Sequence, residues 1–200
     1  MDDKKVLKIT QKWIQAEFSG EGTGHDYFHI ERVVKVARRI AQQEKANLFL
    51  VELAAWLHDV GDYKLHDGVD KSEELIRAFL SELNLSEQII SQTIEIVSQV
   101  SFSKGNQPTS LEAKIVQDAD RLDALGAIGI ARVFAYGGSK QREIYNSENP
   151  AMTSIQHFYD KLLKLKDLMN TDAAKKIAEE RHLFLENYLA QFYKEWEGRC

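Results

Sequence analysis

The chain has 200 residues, 44% of them hydrophobic and 28% charged, which suits a soluble chain with a sizeable core. Its net charge of −5 gives no electrostatic footprint for a nucleic-acid polymer or an anionic membrane. The only cysteine is Cys200, so an internal disulfide is excluded, and no apolar run reaches the ~18 residues of a membrane span.

Val6, Ile9, Trp13, Ile14 and Phe18 recur near helical spacing and predict a first helix from Asp3 to about Phe18. The glycines of "SGEGTG" end it. In "HDYFHIERVVKVARRIAQQEKA", Ile30, Val33, Val34, Ala37, Ile40 and Ala41 form an amphipathic stripe, with His29 one turn before Val33 on its edge. The segment Leu48 to Leu57 is apolar nearly all round and is expected at the centre of the fold. Residues 58–70 read as a turn-rich loop, after which Asp70 is a candidate N-cap for "KSEELIRAFLSEL". Ser86 should cap "EQIISQTIEIVSQV". Thr109 and Glu112 fit a capping box opening "SLEAKIVQDADRLDAL", and "GAIGIARVFAYGG" is expected to continue that helix. A polar loop, "SKQREIYNSENPAMT", precedes two last helices, "SIQHFYDKLLKLKDLM" and, capped by Thr171, "DAAKKIAEERHLFLENYLAQFYKEW". No segment alternates as a strand does, and no repeat or linker is visible. The expectation is a single all-α domain over residues 1–200, a bundle of about eight or nine helices. The charged start "MDDKKVLKIT" is unlike a signal peptide, and a cytoplasmic location is expected.

Chemistry concentrates in "AAWLHDVGDY", where an apolar run ends abruptly in His58-Asp59 and a further carboxylate, Asp62, follows across Gly61. A carboxylate beside an imidazole against a core segment is costly unless paired. A divalent cation is the partner that both residue types share. Further ligands are sought in "DADRLDA", which sets Asp118, Asp120 and Asp123 in one helix of otherwise core-type residues. Asp118 and Asp120 point about 200° apart on a helix, so they cannot share one solvated face.

His29, then His58-Asp59, then an aspartate of "DADRLDALGAIGIAR" resembles the H…HD…D signature of the HD superfamily of metal-dependent phosphohydrolases. The segments "GHDYFHIERV", "AAWLHDVGDY", "DADRLDALGAIGIARVF" and "AYGGSKQREIY" are similar to the stand-alone bacterial HD hydrolases along nearly the whole chain. The resemblance implies a helical HD-domain fold in which His29, His58, Asp59 and Asp120 bind one divalent ion. Asp120 is chosen because it precedes Arg121 in an A-D-R-L-like string, with Asp118 as runner-up. Mn, Mg, Fe, Co and Zn all suit two imidazoles and two carboxylates, and Mn is favoured. A second ion is not expected, since only His66 lies between the HD pair and the last aspartates. The resemblance also assigns Asp62 as general acid/base near the attacking water, and Asp123 could orient water or substrate.

Candidates to hold phosphate are Arg32, on the His29 face of its helix, and Lys64, His66, Lys104, Lys140 and Arg142. Lys104 and Lys140 lie in glycine-containing loops, where backbone amides and a cation can meet one anion. His157 and Lys161, one turn apart, could line the same pocket, whereas His182 and the aromatics of the last helix read as packing residues. The expected activity is attack of metal-activated water on a small phosphorylated molecule, most plausibly a nucleotide, with a lean towards pyrophosphate release from a nucleoside triphosphate. The alternatives are a nucleotide phosphomonoesterase or phosphodiesterase, and a regulatory HD module that binds metal and nucleotide without turnover. No nucleic-acid polymer or membrane partner is expected, and the chain reads as a monomer or homodimer.

Overall fold

The computed structural model describes residues 1–19, 26–62, 68–100 and 107–199. Among the described residues there are nine α-helices and no strand, as the periodicity predicts: α1 (Asp3–Glu17), α2 (Tyr27–Glu44), α3 (Leu48–Leu57), α4 (Ser72–Glu82), α5 (Glu87–Ser98), α6 (Leu111–Asp123), α7 (Gly126–Ser139), α8 (Ser154–Asp160) and α9 (Asp172–Trp196). None of them is long and apolar enough to cross a membrane. The chain divides into two compact units, Met1–Asp120 and Arg121–Cys200.

In the first unit α3 is the central element, packed against α1, α2 and α5. Its residues from Leu50 to Leu57 are all buried, Glu52 among them, as suits a helix that is apolar nearly all round. Asn47 caps it, its side chain accepting from the Leu50 amide at 3.2 Å. The Asn47 amide in turn donates to Glu112 Oε1 at 3.1 Å, which ties the start of α3 to the first turn of α6. On α2 the predicted stripe Ile30, Val33, Val34, Ala37, Ile40 and Ala41 is buried. Trp13 of α1 stacks on Phe79 of α4 with ring centroids 4.0 Å apart.

The second unit packs α7 and α8 with the long α9. Phe158 is fully buried there, and its ring stacks on Tyr188 at 5.9 Å. Thr171 caps α9 by accepting from the Ala174 amide, as expected.

Four boundaries differ from the sequence reading. Lys71 is the N-cap residue of α4, while Asp70 accepts from the Ser72 amide at 2.9 Å from one position further out. The cap of α6 is Ser110 instead of Thr109: Ser110 Oγ accepts from the Ala113 amide at 3.1 Å, and Thr109 bonds to Gln99. The helix through "DADRLDAL" does not continue into "GAIGIARVF". It ends at Asp123, and Gly126, at φ +71°, opens a new one. A Cβ at Gly129 would stand 2.2 Å from the Ala124 carbonyl oxygen, so the corner needs a glycine there. Finally, "SIQHFYDKLLKLKDLM" is no single α-helix. α8 stops at Asp160 because Lys161 leaves helical geometry (φ −132°, ψ −60°), and Leu162–Leu168 forms a 3-10 helix.

Candidate metal centre

The first unit gathers ligands from α2, from the end of α3 and from α6. Asp26 caps α2, its Oδ1 accepting from the His29 amide at 2.7 Å, so His29 is fixed in the first turn. The sequence reading passed over this cap, although an aspartate three residues before His29 is the ordinary signal for one. His58 is the residue that ends α3. Its Nδ1 lies 2.8 Å from the Ala55 carbonyl oxygen. A carbonyl only accepts, so Nδ1 carries the proton and the lone pair of the neutral ring sits on Nε2. That Nε2 is buried with no hydrogen-bond partner among the described residues, as befits a metal-ligating nitrogen.

Around this nitrogen the donor atoms converge. His29 Nε2 is 3.5 Å from Asp59 Oδ2 and 3.5 Å from Asp120 Oδ1. His58 Nε2 is 3.6 Å from Asp59 Oδ1 and 3.9 Å from the same Asp120 oxygen. These separations are long for hydrogen bonds. They suit ligands of one ion: two donors each about 2.1 Å from it stand roughly 3.4 Å apart at a tetrahedral angle. His29, His58 and Asp120 each offer one atom within 4.8 Å of the others. Asp59 joins through both oxygens, one towards each imidazole. The residues present therefore fit a divalent cation. Both imidazoles are only 1% exposed and Asp59 9%, while Asp120 is 29% exposed, so the cage meets solvent on the Asp120 side.

Asp118, the runner-up, is fully buried and stands outside this group. The expected separation of the two aspartates around the helix is thus found. Asp120→Asn should cost metal affinity about a hundredfold or more, whereas Asp118→Asn should not, as read by Mn titration calorimetry. Equal losses would reject the choice of Asp120.

Other predicted site residues fall into four groups. Arg32 is half-buried one turn beyond His29, and Asp62 is half-buried after the turn that follows Asp59. Asp123, in the second unit, is buried and forms an ion pair with Arg132 of α7, a partner that no sequence spacing announced. Lys64, His66 and Lys104 lie outside the described residues.

The remaining four gather on the second unit. Lys140 and Arg142 flank the Tyr136 ring at 5.7 and 6.0 Å from its centroid. His157 is half-buried near Arg142 and Lys161. Burial, then the charge of Lys161, then that of Arg142 hold its imidazole below the usual histidine range, against a smaller opposing pull from Asp160. A depressed histidine is neutral at pH 7. Its favourable contribution to stability is fully present above the unfolded-state value and is lost as pH falls through the folded one. Proton NMR should place the His157 titration below that of an exposed histidine, and Lys161→Ala should raise it. An unshifted titration in that variant would deny the two charges any mutual influence.

The comparisons with known proteins bear on this cage. An HD domain model matches residues 26–125, which contain His29, His58, Asp59 and Asp120. The chain belongs to the HD domain family. The all-α fold is the one that the family has. The chain is similar to YpgQ of Bacillus subtilis, 41% identical over 99% of this chain and 97% of that protein. A crystal structure of that YpgQ in complex with ADP aligns with a TM-score of 0.85 at 39% identity, covering 98% of this chain and 97% of the other. An HD-superfamily hydrolase from Bacillus thuringiensis aligns equally well, with a TM-score of 0.85, 43% identity and coverage of 98% and 99%.

Proposed function

We propose that this HD protein is a divalent-metal-dependent phosphohydrolase whose substrate is a small phosphorylated molecule, a nucleotide above all. The observation that carries this reading is the gathering of His29, His58 and Asp120 donor atoms within 4.8 Å of one another, with Asp59 beside both imidazoles and solvent access on the Asp120 side. A divalent ion held there would lower the pKa of water and draw charge from a phosphoryl oxygen. The chain's own residues do the rest. The Ala55 carbonyl keeps His58 in the tautomer that offers Nε2. Asp62, three residues after Asp59, is read as the group that takes and returns the proton of the attacking water. Arg32 is assigned to the phosphate on the His29 side.

For the second unit, Lys140, Arg142, His157 and Lys161 are read as a phosphate-binding cluster; their gathering around one patch supports this. Asp123 is read as a group that orients water or substrate, its carboxylate held in place by the ion pair with Arg132. The ADP held by Bacillus subtilis YpgQ supports a nucleotide as substrate. Within nucleotides, pyrophosphate release from a triphosphate is preferred, because two separate basic loops expected from the sequence, those of Lys104 and Lys140, suit a phosphate chain better than one phosphate.

The test is a hydrolysis screen of metal-free protein reloaded with Mn, Mg, Co or Zn. The panel holds ribo- and deoxynucleoside mono- and triphosphates and a generic phosphodiester, with products separated by chromatography. Pyrophosphate from triphosphates is the expected product. Single phosphate from monophosphates would replace that reaction with a phosphomonoesterase. Metal binding without any turnover would make the chain a binding module.

A further inference from the structure

A second charged feature lies in the first unit, away from the metal ligands. A groove of about 430 Å³ is lined by Lys4, Lys8 and Gln11 of α1, Lys35 and Arg38 of α2, and Glu52 of α3. Glu31 also lines it and pairs with Lys35 at 2.7 Å. Four cations thus face two carboxylates there, in a chain whose net charge is −5. No carboxylate among the described residues pairs with Lys4 or Lys8.

One part of this groove is built rather than incidental. Glu52 is buried, 4% exposed, on a helix whose other inward residues are apolar. Its carboxylate takes Arg38 Nε at 2.8 Å and Arg38 Nη2 as well, gripping one edge of the guanidinium. The rest of the fork stays available, since the Arg38 side chain is 51% exposed. A buried acid that fixes an arginine in this way prepares it for an anion, because the donors no longer lose rotamer freedom on binding. Arg38 lies nine residues after His29, about half a turn away around α2, so the groove is on the opposite side of that helix from the metal ligand.

We propose that this groove is a second anion site, where Arg38, anchored by Glu52, and Lys4 and Lys8 across from it bind a phosphate-class anion. Inorganic phosphate, pyrophosphate and the phosphate tail of a nucleotide share that chemistry. The site is independent of the metal centre and of the reaction assigned to it.

The experiment is titration calorimetry of the full chain in chelator, so that the HD cage holds no ion, with phosphate, pyrophosphate and ADP as separate probes. Pyrophosphate is expected to bind, with affinity that falls as salt rises. Lys4→Glu with Lys8→Glu, both at solvent-facing positions of α1, should weaken it about tenfold or more. Glu52→Gln keeps every cation of the groove but loosens the Arg38 fork, and should weaken it too, circular dichroism confirming the fold. Tighter binding of ADP than of pyrophosphate would identify a nucleotide tail as the ligand, and the reverse a free anion. No binding, or binding unchanged by the double lysine variant, would overturn the site. Binding lost in that variant yet intact in folded Glu52→Gln would overturn the anchored role of Arg38.

Discussion

Asp59→Ala should abolish both divalent-metal binding and turnover. Asp59 places one oxygen 3.5 Å from His29 Nε2 and the other 3.6 Å from His58 Nε2, so no other residue of the cage bridges both imidazoles through separate atoms. At an ion concentration a hundred times its dissociation constant, binding stabilises the native state by about 2.7 kcal/mol. For a chain of this length that corresponds to a rise in Tm of roughly 5–10 °C. Wild type should show this rise with Mn in a thermal melt, and Asp59→Ala should show none. A purely structural carboxylate gives the opposite pattern: neither protein responds to metal, and the variant is unchanged or more stable, since a buried charge has been removed. A variant that still gains Tm with Mn would remove Asp59 from the ligand set.

Gly61→Ala should be nearly as damaging, by a different route. Gly61 follows the HD pair by two residues and sits at φ +74°, where a side chain is strained. Its carbonyl oxygen accepts from the Lys71 amide at 2.9 Å, which draws the turn against the start of α4. A Cβ there would stand 2.5 Å from the Ser72 nitrogen, and backbone cannot yield as a flexible side chain can. The expected cost is about 3 kcal/mol, combining the left-handed penalty with displacement of the α4 start. Gly68 is the control. It also has positive φ, at +87°, but nothing lies within 4 Å of its added Cβ. Gly68→Ala should therefore cost only about 1–2 kcal/mol. Denaturant melts of the two variants decide the matter, and equal losses would mean that the contact with α4 has no energetic weight. Metal titration of Gly61→Ala should also show weakened affinity, because Asp59 is carried by the same turn.

Much of this molecule can be read from residue order, and the failures have identifiable causes. α3 was legible because a run apolar but for Glu52, bounded by Asn47 and His58, leaves little choice of register. The gathering of His29, His58 and Asp120 is announced only by the family resemblance; spacing alone leaves Asp118 and Asp120 both open. What separated them is tertiary: one is fully buried, and the other reaches His29 and His58. Ser110 and Thr109 are adjacent hydroxyls with equal capping chemistry, and only the backbone path decides between them. The break between α6 and α7 was missed because Gly126 sits inside an apolar, helix-compatible run. Its left-handed φ and the close approach of Gly129 to Ala124 are properties of the corner, not of local propensity. The ion pair of Asp123 with Arg132 joins two helices across that corner and has no periodic signature. Groove residues such as Arg38 and Glu52 likewise lie 14 positions apart on different helices.

The burial of α3 from Leu50 to Leu57 carries a kinetic consequence. A helix buried from Leu50 to its end cannot open by itself, because releasing it exposes the core that α1, α2 and α5 share with it. Its amides should therefore exchange with deuterium only through global unfolding. His58, at its end, inherits that rigidity. An ion held at this point would slow exchange throughout the core of the first unit, by the same factor as it shifts the unfolding equilibrium, rather than quieting one loop.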